Sequence, residues 1–191
     1  ITVKTVYATS PDVIIVATGA REIVPDIEGV DRESVVTAVD LLKGEKTIGE
    51  RVVIVGGGLS GCEIAIWLAE KGRRSVIVEM LPDLMAGGAP VPGQVKMMTL
   101  DLLAKYGIPI HTDSRVNEIT AAGVTIDRKK DLSKDHIEAD TIVLAMGMAP
   151  DTWLADRLEH IAVCTYRIGD CRAPRNVMNA VWDAYEIARF I

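Results

Sequence analysis

The residues of this chain that are best placed to do chemistry are three glycines and one glutamate. Gly56, Gly58 and Gly61 follow four consecutive β-branched residues and open a helical pattern. A second apolar run, which starts at Ser75, ends at Glu79, 18 residues after Gly61. This order of strand, glycine turn, helix, strand and acid is typical of a dinucleotide-binding site.

Each residue of this pattern has a separate physical task. Gly56 permits the tight turn, Gly58 lets the backbone approach a pyrophosphate, and Gly61 allows the helix to pack closely on the strand. The helix N-terminus offers free N–H groups and a positive dipole end to the phosphates. Glu79 is expected to accept hydrogen bonds from the adenosine ribose. Its charge opposes the 2′-phosphate of NADP, so NADH is the expected ligand.

Two neighbouring arginines could indicate the opposite preference. Arg73 and Arg74 lie at the start of the strand that ends at Glu79. Five residues at about 3.3 Å each put these arginines roughly 16 Å from the ribose. We therefore expect both side chains to be solvated rather than bound to a 2′-phosphate.

The composition excludes several classes of protein. Hydrophobic residues make up 49% of the 191 positions and charged residues 25%, which predicts a packed globular core. The net charge of −6 argues against nucleic acid as a partner, and the apolar runs are too short to cross a membrane. The three cysteines and three histidines lack disulfide-framework and metal-ligand spacing. We therefore expect no metal and a reducing, cytoplasmic location.

Two segments of the chain nearly repeat each other. Residues 11–20 and 139–148 each contain an Asp, a mostly apolar run of five residues ending in Ala, one further residue and a Gly. Such runs predict strands buried on both faces of a parallel sheet. In a nucleotide-binding domain this strand follows the glycine turn, yet the first copy has no such turn before it. The chain also opens without a Met or a signal peptide, so we expect a longer protein whose first nucleotide-binding domain begins upstream.

The remaining pattern predicts further strands and helices. Gly72 and Gly107 follow the two central helices as C-caps. The stretch 81–93, rich in Pro and Gly, predicts a mobile loop. A charged turn over 128–135 predicts a solvated hairpin tip. Strands are predicted over residues 48–55, 75–79, 108–112, 115–120, 123–127, 136–139 and 141–146, and helices over 60–71, 94–106 and about 175–191.

With these motifs, the chain resembles the pyridine-nucleotide–disulfide oxidoreductase superfamily. Within it, the closest likeness is the C-terminal half of NADH:flavin oxidoreductases of the 2,4-dienoyl-CoA reductase and 2-enoate reductase type. The resemblance implies an α/β fold with a Rossmann-like NAD-binding domain, a parallel sheet with helices plus a β-meander, inserted in the remnant of an FAD-binding domain. The implied NAD(H) domain is 46–150, and 1–45 and 151–191 are closing parts of the FAD domain. The matching stretches are 11–20, 51–80, 139–150 and 168–175 with the helix that follows.

The resemblance also assigns cofactor contacts to particular residues. Gly169 and Asp170 match the family's second flavin motif, in which the Asp meets the ribityl–pyrophosphate part of FAD. From the residues alone, Asp170 before a helix is instead an N-cap. Glu63 matches a residue near the nicotinamide, and the residues alone suggest equally a carboxylate that complements the helix dipole. The residues implied to contact NAD are Gly56, Gly57, Gly58, Leu59, Ser60, Gly61, Glu63, Glu79, Met80 and Gly147, and those for FAD in the parent enzyme are Thr18, Gly19, Gly169 and Asp170.

Other residues on these elements favour packing roles or depart from the family pattern. Cys62 continues an apolar stripe along its helix and is predicted to be core rather than a nucleophile. Leu59 stands where some relatives carry an aromatic gate over the nicotinamide pocket, so that gate is missing. Trp182, Asp183 and Ala184 replace the small, Gly-containing sequence expected beside the flavin.

The predicted function is the NADH-binding part of a flavin-dependent oxidoreductase that passes hydride from NADH to FAD and reduces an enoate or enoyl thioester. The cofactors carry this chemistry, so no catalytic residue is assigned. The alternatives are an NADH oxidase or ferredoxin-reductase-like flavoenzyme, and a non-catalytic nucleotide-binding module. We expect the isolated chain to lack FAD and to partner the rest of the parent enzyme.

The flanks carry one further expectation. The apolar strand Val13–Val16 needs cover on both faces, and the last helix can supply only one through its apolar residues. An exposed apolar face should persist and cause self-association.

Overall fold

The computed structural model describes residues 2–159 and 164–191. The chain forms two compact units, one of Glu22–Gly147 and one of Ile1–Arg21 with Met148–Ile191. The predicted α/β class, with a parallel sheet, helices and an antiparallel meander, is confirmed. Within the described ranges, no helix is long and apolar enough to span a lipid bilayer.

Strands and helices follow one another along the chain. The strands are β1 (Val13–Val16), β2 (Ala20–Glu22), β3 (Val35–Thr37), β4 (Arg51–Val55), β5 (Arg74–Val78), β6 (Ile110–His111), β7 (Ser114–Ile119), β8 (Gly123–Arg128), β9 (Lys134–Glu138), β10 (Thr141–Leu144), β11 (Met148–Pro150) and β12 (Cys164–Arg167). The helices are α1 (Val3–Thr9), α2 (Ala38–Lys43), α3 (Leu59–Glu70), α4 (Gly93–Lys105), α5 (Trp153–Leu158) and α6 (Val177–Ala188), and one 3₁₀ turn spans Gly169–Cys171.

The larger unit is built on a five-stranded parallel sheet with the strand order β3, β10, β4, β5, β6. Strands β4 and β10 are almost entirely buried, which explains their continuous apolar runs. One face of the sheet packs on α2, α3 and α4, where Ile54 of the sheet shares a core with Leu68 and Leu103. Because all the pairings are parallel, the carboxyl ends of the five strands lie at one edge.

The other face of this sheet is covered by the meander of β7, β8 and β9. Val116, Val124 and Ile126 of the meander are buried in one cluster with Val53 and Ile142 of the sheet. Along β7, buried and exposed side chains alternate up to Asn117, as expected for an antiparallel strand with one solvated face. The predicted short strands of this region are therefore confirmed.

Residues 22–45 lie in the larger unit. Strand β3 pairs in parallel with β10, with Val35 opposite Ile142, and α2 follows directly. Val36 and Leu41 are buried in the core that the helices cover. This grouping differs from the predicted division, which placed 1–45 with the flavin-binding part. Strand β3 has three residues, too few for either a buried run or an alternation to be recognised in a sequence.

The smaller unit contains a two-stranded parallel sheet of β1 and β12. Ile14 and Val16 of β1 are buried together with Ala155 and Leu158 of α5 and with Cys171, and α1 packs against this cluster. The prediction that the last helix covers β1 is wrong, because α1 and α5 supply that cover. These helices have seven and six residues, too few to show a helical period in the sequence.

An apolar surface remains exposed on the smaller unit. Ile15, which points away from the buried face of β1, is 44% exposed. On α6, Val177 is 79% exposed and Val181 is 59% exposed, and Trp182 and Tyr185 are exposed as well. The expected exposed apolar face is confirmed, although α6 contributes to it instead of covering it.

An ion-pair cluster beside the first residue of β4 makes stability depend on pH. Asp140 accepts hydrogen bonds from the Arg51 guanidinium, at 2.7 Å from Nη2, and from the Arg51 backbone N–H at 2.9 Å. These bonds lower the pKa of Asp140 from 3.8 to about 2. A carboxylate whose pKa is lowered by folding stabilises the folded state above its unfolded pKa. This contribution is lost as the pH falls through the folded pKa.

We expect Asp140→Asn to flatten the pH dependence of thermal unfolding between about pH 4 and about pH 2, where the pKa values of the unfolded and folded states lie. Melting temperatures measured by circular dichroism across this window test the expectation. The control is Asp101→Asn, which removes an exposed carboxylate on α4 and should keep the slope of the original chain. The same slope in Asp140→Asn would show that the cluster makes no contribution.

Candidate functional site

The three predicted glycines form the turn between β4 and α3, and each has a different steric surrounding. Gly56 has a φ of +112°, and a Cβ added there would collide with the carbonyl of Ala145. A Cβ on Gly61 would collide with the Gly56 carbonyl. A Cβ on Gly58 would meet no atom within 4 Å. The first and third glycines are thus required by the protein's own packing, whereas the second leaves open space in front of the backbone.

Glu79 is fixed against this glycine turn. It is 8% exposed, and its Oε2 accepts a hydrogen bond from the Gly57 N–H at 2.5 Å, while its Oε1 accepts one from the Leu81 N–H at 2.8 Å. Strand β5 is parallel to β4 and ends in register with it, with Val78 opposite Val55, so Glu79 lies at the same edge of the sheet as the turn. The structure therefore joins the predicted turn and the predicted acid directly, through one short hydrogen bond.

The segment after Glu79 holds the turn from the other side. The Met85 N–H donates to the Gly57 carbonyl at 2.8 Å, and Leu84 and Met85 are buried. The prediction of a mobile loop over 81–93 is therefore wrong for these two residues. They were missed because the prolines and glycines around them dominate the local composition, although two adjacent large apolar residues in such a loop were a usable signal.

Helix α3 begins directly beyond the turn. Its N-cap is Gly58, which provides no side-chain hydrogen bond, so its first-turn N–H groups have no cap to satisfy them. Ser60 and Glu63 are exposed on the first two turns of the helix, and Leu59 is partly buried. The N-terminus therefore presents unsatisfied donors and a positive dipole end beside the open space at Gly58.

Cys62, on the first turn of α3, belongs to the buried core and does not face the open space at Gly58. The thiol is fully buried and its Sγ lies 3.5 Å from the Gly57 carbonyl, to which it donates. Burial, and to a lesser extent the charges of Glu79 and Glu63, raise the pKa of Cys62 to about 11. The group is therefore a protonated thiol at neutral pH, and the prediction of a packing role is confirmed.

Two more predicted residues lie at the carboxyl edge of the sheet. Met80 follows β5 and is exposed. Gly147 follows β10, has a φ of +87°, and its carbonyl accepts a hydrogen bond from Ile23 N–H at 3.1 Å. The turn after β4 lies between them, since β4 is paired with both β5 and β10.

Arginine side chains lie near both ends of β5. Arg74 begins β5 opposite Arg51, so it lies at the end of the strand away from Glu79, as predicted. At the other end, the carbonyl of His111 accepts the Glu79 N–H at 2.8 Å, and Arg128 Nη2 lies 3.5 Å from His111 Nδ1. The sequence did not indicate this cation, because the fold brings it from the meander. Arg128 is bound to Asp135 at 2.7 Å.

The residues assigned to FAD surround a separate cleft of about 340 Å³ in the smaller unit. Gly19 and Gly169, both with positive φ, line it together with Asp170. Thr18 follows β1, and its hydroxyl donates to the Asp151 carbonyl at 2.6 Å. The structure thus brings together three of the four predicted residues around the cleft, while the Thr18 hydroxyl is used to join two chain segments.

Asp170 is not the N-cap of the last helix. That cap is Asn176, whose side chain accepts a hydrogen bond from the Asn179 N–H at 3.1 Å. The Asp170 Oδ1 accepts one from the Arg175 N–H at 3.2 Å, one residue before the cap. The cap interpretation of Asp170 is therefore wrong, because the 3₁₀ turn and the following segment place the helix start later than the sequence suggested.

Asp183 is the residue of this region that sequence reasoning missed. It is buried on α6, and it accepts hydrogen bonds from the Gly169 N–H at 3.1 Å, from Arg172 Nη1 at 3.1 Å, and from the Arg175 guanidinium. The sequence showed it only as a departure from the expected small residues. An aspartate in the middle of a mostly apolar helix, with arginines eight and eleven residues before it in the sequence, was the available signal.

Comparisons with known proteins agree on one family. The sequence model described as pyridine nucleotide-disulphide oxidoreductase matches residues 3–184. A cinnamate reductase of Clostridium sporogenes is 34% identical over 180 residues, which cover 94% of this chain and 26% of that protein. An NADH oxidase of Thermoanaerobacter brockii is 36% identical over 190 residues, which cover 97% of this chain and 29% of that protein.

The chain is also similar to a solved structure of a reductase. The complex of 2-naphthoyl-CoA reductase with 2-naphthoyl-CoA superimposes with a TM-score of 0.87 and 32% identity, covering 97% of this chain and 28% of that one. The chain therefore spans between a quarter and a third of the length of these relatives.

Proposed function

Because the chain belongs to the pyridine nucleotide-disulphide oxidoreductase family, we propose that it is the NADH-binding part of a flavin-dependent oxidoreductase. One observation carries this proposal, the hydrogen bond of 2.5 Å between the Glu79 carboxylate and the Gly57 N–H. It fixes the acid that would receive the adenosine ribose against the turn that would receive the pyrophosphate.

The residues around the turn fit a dinucleotide. The space in front of Gly58 is free of protein atoms within 4 Å of an added Cβ, and the N-terminus of α3 has no side-chain cap. A pyrophosphate would occupy this space and accept hydrogen bonds from the first-turn N–H groups. Glu63, exposed on the same helix, and Gly147 and Met80 at the strand ends are proposed to line the rest of the nucleotide.

The cleft of the smaller unit fits part of a flavin nucleotide. Gly19, Gly169 and Asp170 line it, and positive φ values at both glycines bring bare backbone to its wall. We assign 46–150 to the NAD(H)-binding domain, and 1–45 with 151–191 to the closing parts of the FAD-binding domain; this is a division by cofactor, in which residues 22–45 pack with the larger unit. The remaining contacts of FAD would come from the rest of the parent flavoenzyme, which is the partner we propose for this chain.

NADH would supply a hydride and FAD would accept it. The role of this chain is to bind and orient the nucleotide, and no protein group needs to gain or lose a proton. The fully buried thiol of Cys62, with its pKa raised to about 11, supports a site without a thiolate nucleophile. The pre-formed turn would hold the pyrophosphate of the nucleotide, and Glu63 is the residue that we assign to its nicotinamide end.

The acceptor that we favour is an enoate or enoyl thioester. This choice rests on the relatives named cinnamate reductase and 2-naphthoyl-CoA reductase. A second candidate is an NADH oxidase, favoured by the 36% identity to the enzyme of that name. The two candidates use the same NADH site and differ in the acceptor, so assays of the parent enzyme with cinnamate or with dioxygen would separate them.

Binding of the two reduced nucleotides tests the proposed function. We expect calorimetry to give an affinity for NADH about tenfold or more above that for NADPH, because a buried carboxylate at the ribose repels a 2′-phosphate. Glu79 is buried and carries that charge. Equal affinities, or no heat with either nucleotide, would remove the basis of the proposal.

We also propose that the isolated chain self-associates through the exposed apolar face of α6. We expect the sedimentation coefficient to rise with concentration, because several large apolar side chains of α6 are exposed. Val181→Glu should abolish the rise, whereas Glu186→Gln, an exposed polar change on the same helix, should preserve it. A constant monomeric coefficient in the original chain would contradict this proposal.

A cytoplasmic location is also part of the proposal. Cys62, Cys164 and Cys171 are free thiols. Unpaired cysteines in an α/β domain favour a reducing compartment.

A further inference from the structure

Asp183 binds two arginines that differ in their exposure to solvent. The Arg175 side chain is the less exposed of the two, at 29% against 61% for Arg172. Arg175 also lines the cleft of the smaller unit. Its Nε donates to the Ala173 carbonyl at 3.2 Å, and its Nη2 donates to Asp183. These two bonds fix the plane of the guanidinium, and within the described part of the chain they leave Nη1 as the nitrogen that can meet a ligand.

The same carboxylate removes the first amide of the turn as a ligand donor. The Gly169 N–H points to Asp183 Oδ2 at 3.1 Å, so it cannot at the same time donate to a molecule in the cleft. Among the residues that line the cleft, Arg175 is the one cation and Asp170 is the one anion. A ligand with a phosphate at one end and hydroxyls at the other would match this pair, since the guanidinium donates to phosphate and the carboxylate accepts from hydroxyls.

We propose that Asp183 is a positioning residue that holds Arg175 on the wall of the cleft, where the guanidinium binds the phosphate attached to the ribityl chain of a flavin nucleotide. The inference rests on the proposed function, because it assumes that the cleft receives a flavin. It goes further by naming the phosphate donor and the buried group that orients it. Arg172, bound to the other oxygen of the same carboxylate, would only balance its charge.

A pair of ligands that differ by one phosphate tests the proposal in the 191-residue chain. FMN carries the ribityl phosphate, and riboflavin is the same molecule without it. Proton–nitrogen correlation spectra recorded during titration to millimolar concentrations detect weak binding through the shifts of Gly169 and of the Arg175 Nε–H. We expect FMN to bind about tenfold more tightly than riboflavin.

Four variants assign the effect to particular side chains. Arg175→Gln should weaken FMN about tenfold and leave riboflavin unchanged, because only the phosphate contact is removed. Asp183→Asn should reduce FMN affinity similarly, and Asp183→Glu should restore part of it. A merely structural role of Asp183 would weaken both ligands equally. The matched control is Arg172→Gln, which removes a guanidinium from the same carboxylate outside the cleft lining and should leave FMN affinity within about twofold.

Three results would overturn the inference. They are the absence of shifts with FMN at millimolar concentration, equal affinities for FMN and riboflavin, and an equal loss of both ligands in Asp183→Asn. Titration of the same samples with NADH reports on the turn at Gly56–Gly61 in the larger unit. Shifts at this turn with NADH, but none with FMN, would support the proposed nucleotide function and reject the flavin-phosphate site. Shifts with FMN, but none with NADH, would reject the proposed NADH function alone.

Discussion

Gly61→Ala is expected to lower the stability of the chain and to abolish NADH binding, whereas Gly58→Ala should fold normally and lose only the binding. The reason lies in what an added methyl group meets. At Gly61 it would collide with the backbone carbonyl of Gly56, so helix α3 must move away from β4. Overpacking of this kind costs roughly 1–3 kcal/mol in folding free energy. The shift would also displace the N–H groups that receive the pyrophosphate.

At Gly58 the added methyl group meets no protein atom within 4 Å, and the backbone φ of −64° is one that alanine adopts readily. We expect the free energy of unfolding to change by less than about 0.5 kcal/mol. The methyl group would occupy the space reserved for the pyrophosphate, and the affinity for NADH should fall about tenfold or more. Thermal unfolding and NADH fluorescence titration of both variants provide the comparison. Normal NADH binding by Gly58→Ala would mean that the phosphates lie elsewhere.

Glu79→Gln is expected to remove the preference for NADH over NADPH. The substitution keeps one acceptor oxygen but replaces the other by an amino group, which cannot accept from Leu81 N–H or Gly57 N–H. It also removes the negative charge that would repel a 2′-phosphate. We expect the ratio of the two affinities to fall from about tenfold to about one.

The lost hydrogen bond should have a separate effect on folding. An unpaired backbone N–H at a buried site costs about 1–3 kcal/mol, so Glu79→Gln should unfold at a lower temperature even without nucleotide. Asp101→Asn, a carboxylate-to-amide change on an exposed part of α4, is the control for both measurements. Retention of the original NADH preference in Glu79→Gln would show that the charge of Glu79 does not determine the choice of nucleotide.

The parts of the fold that the sequence predicted are those with strong local patterns. The run Val52–Val55, the glycine turn and the strand before Glu79 each need only neighbouring residues to be recognised. The near-repeat of residues 11–20 and 139–148 was also informative, since both copies form a strand followed by a glycine with positive φ. Strand β3 and the helices α1 and α5 are too short to produce a recognisable period.

The contacts of the two sites were less predictable for a different reason. The proximity of Glu79 to the turn followed from a known supersecondary unit, but the bond between its carboxylate and the Gly57 N–H needs coordinates. Asp183 meets Gly169 across 14 positions of sequence and a change from turn to helix. Pairings of this type depend on how far a helix rotates about its axis, which no residue in the sequence specifies by itself.

The order of strands in the two sheets has a consequence for how the chain folds during synthesis. Among the described strands, β3 lies at the edge of its sheet and pairs with β10, which is synthesised about a hundred residues later. Strand β1 pairs with β12, and the partners Val13 and Cys164 are separated by a still longer stretch of sequence. Strands β1 and β3 must therefore remain unpaired during synthesis while β4 and β5 can already pair. Because closing long loops carries an entropic cost, β1 and β3 are the last of these strands to reach their final positions.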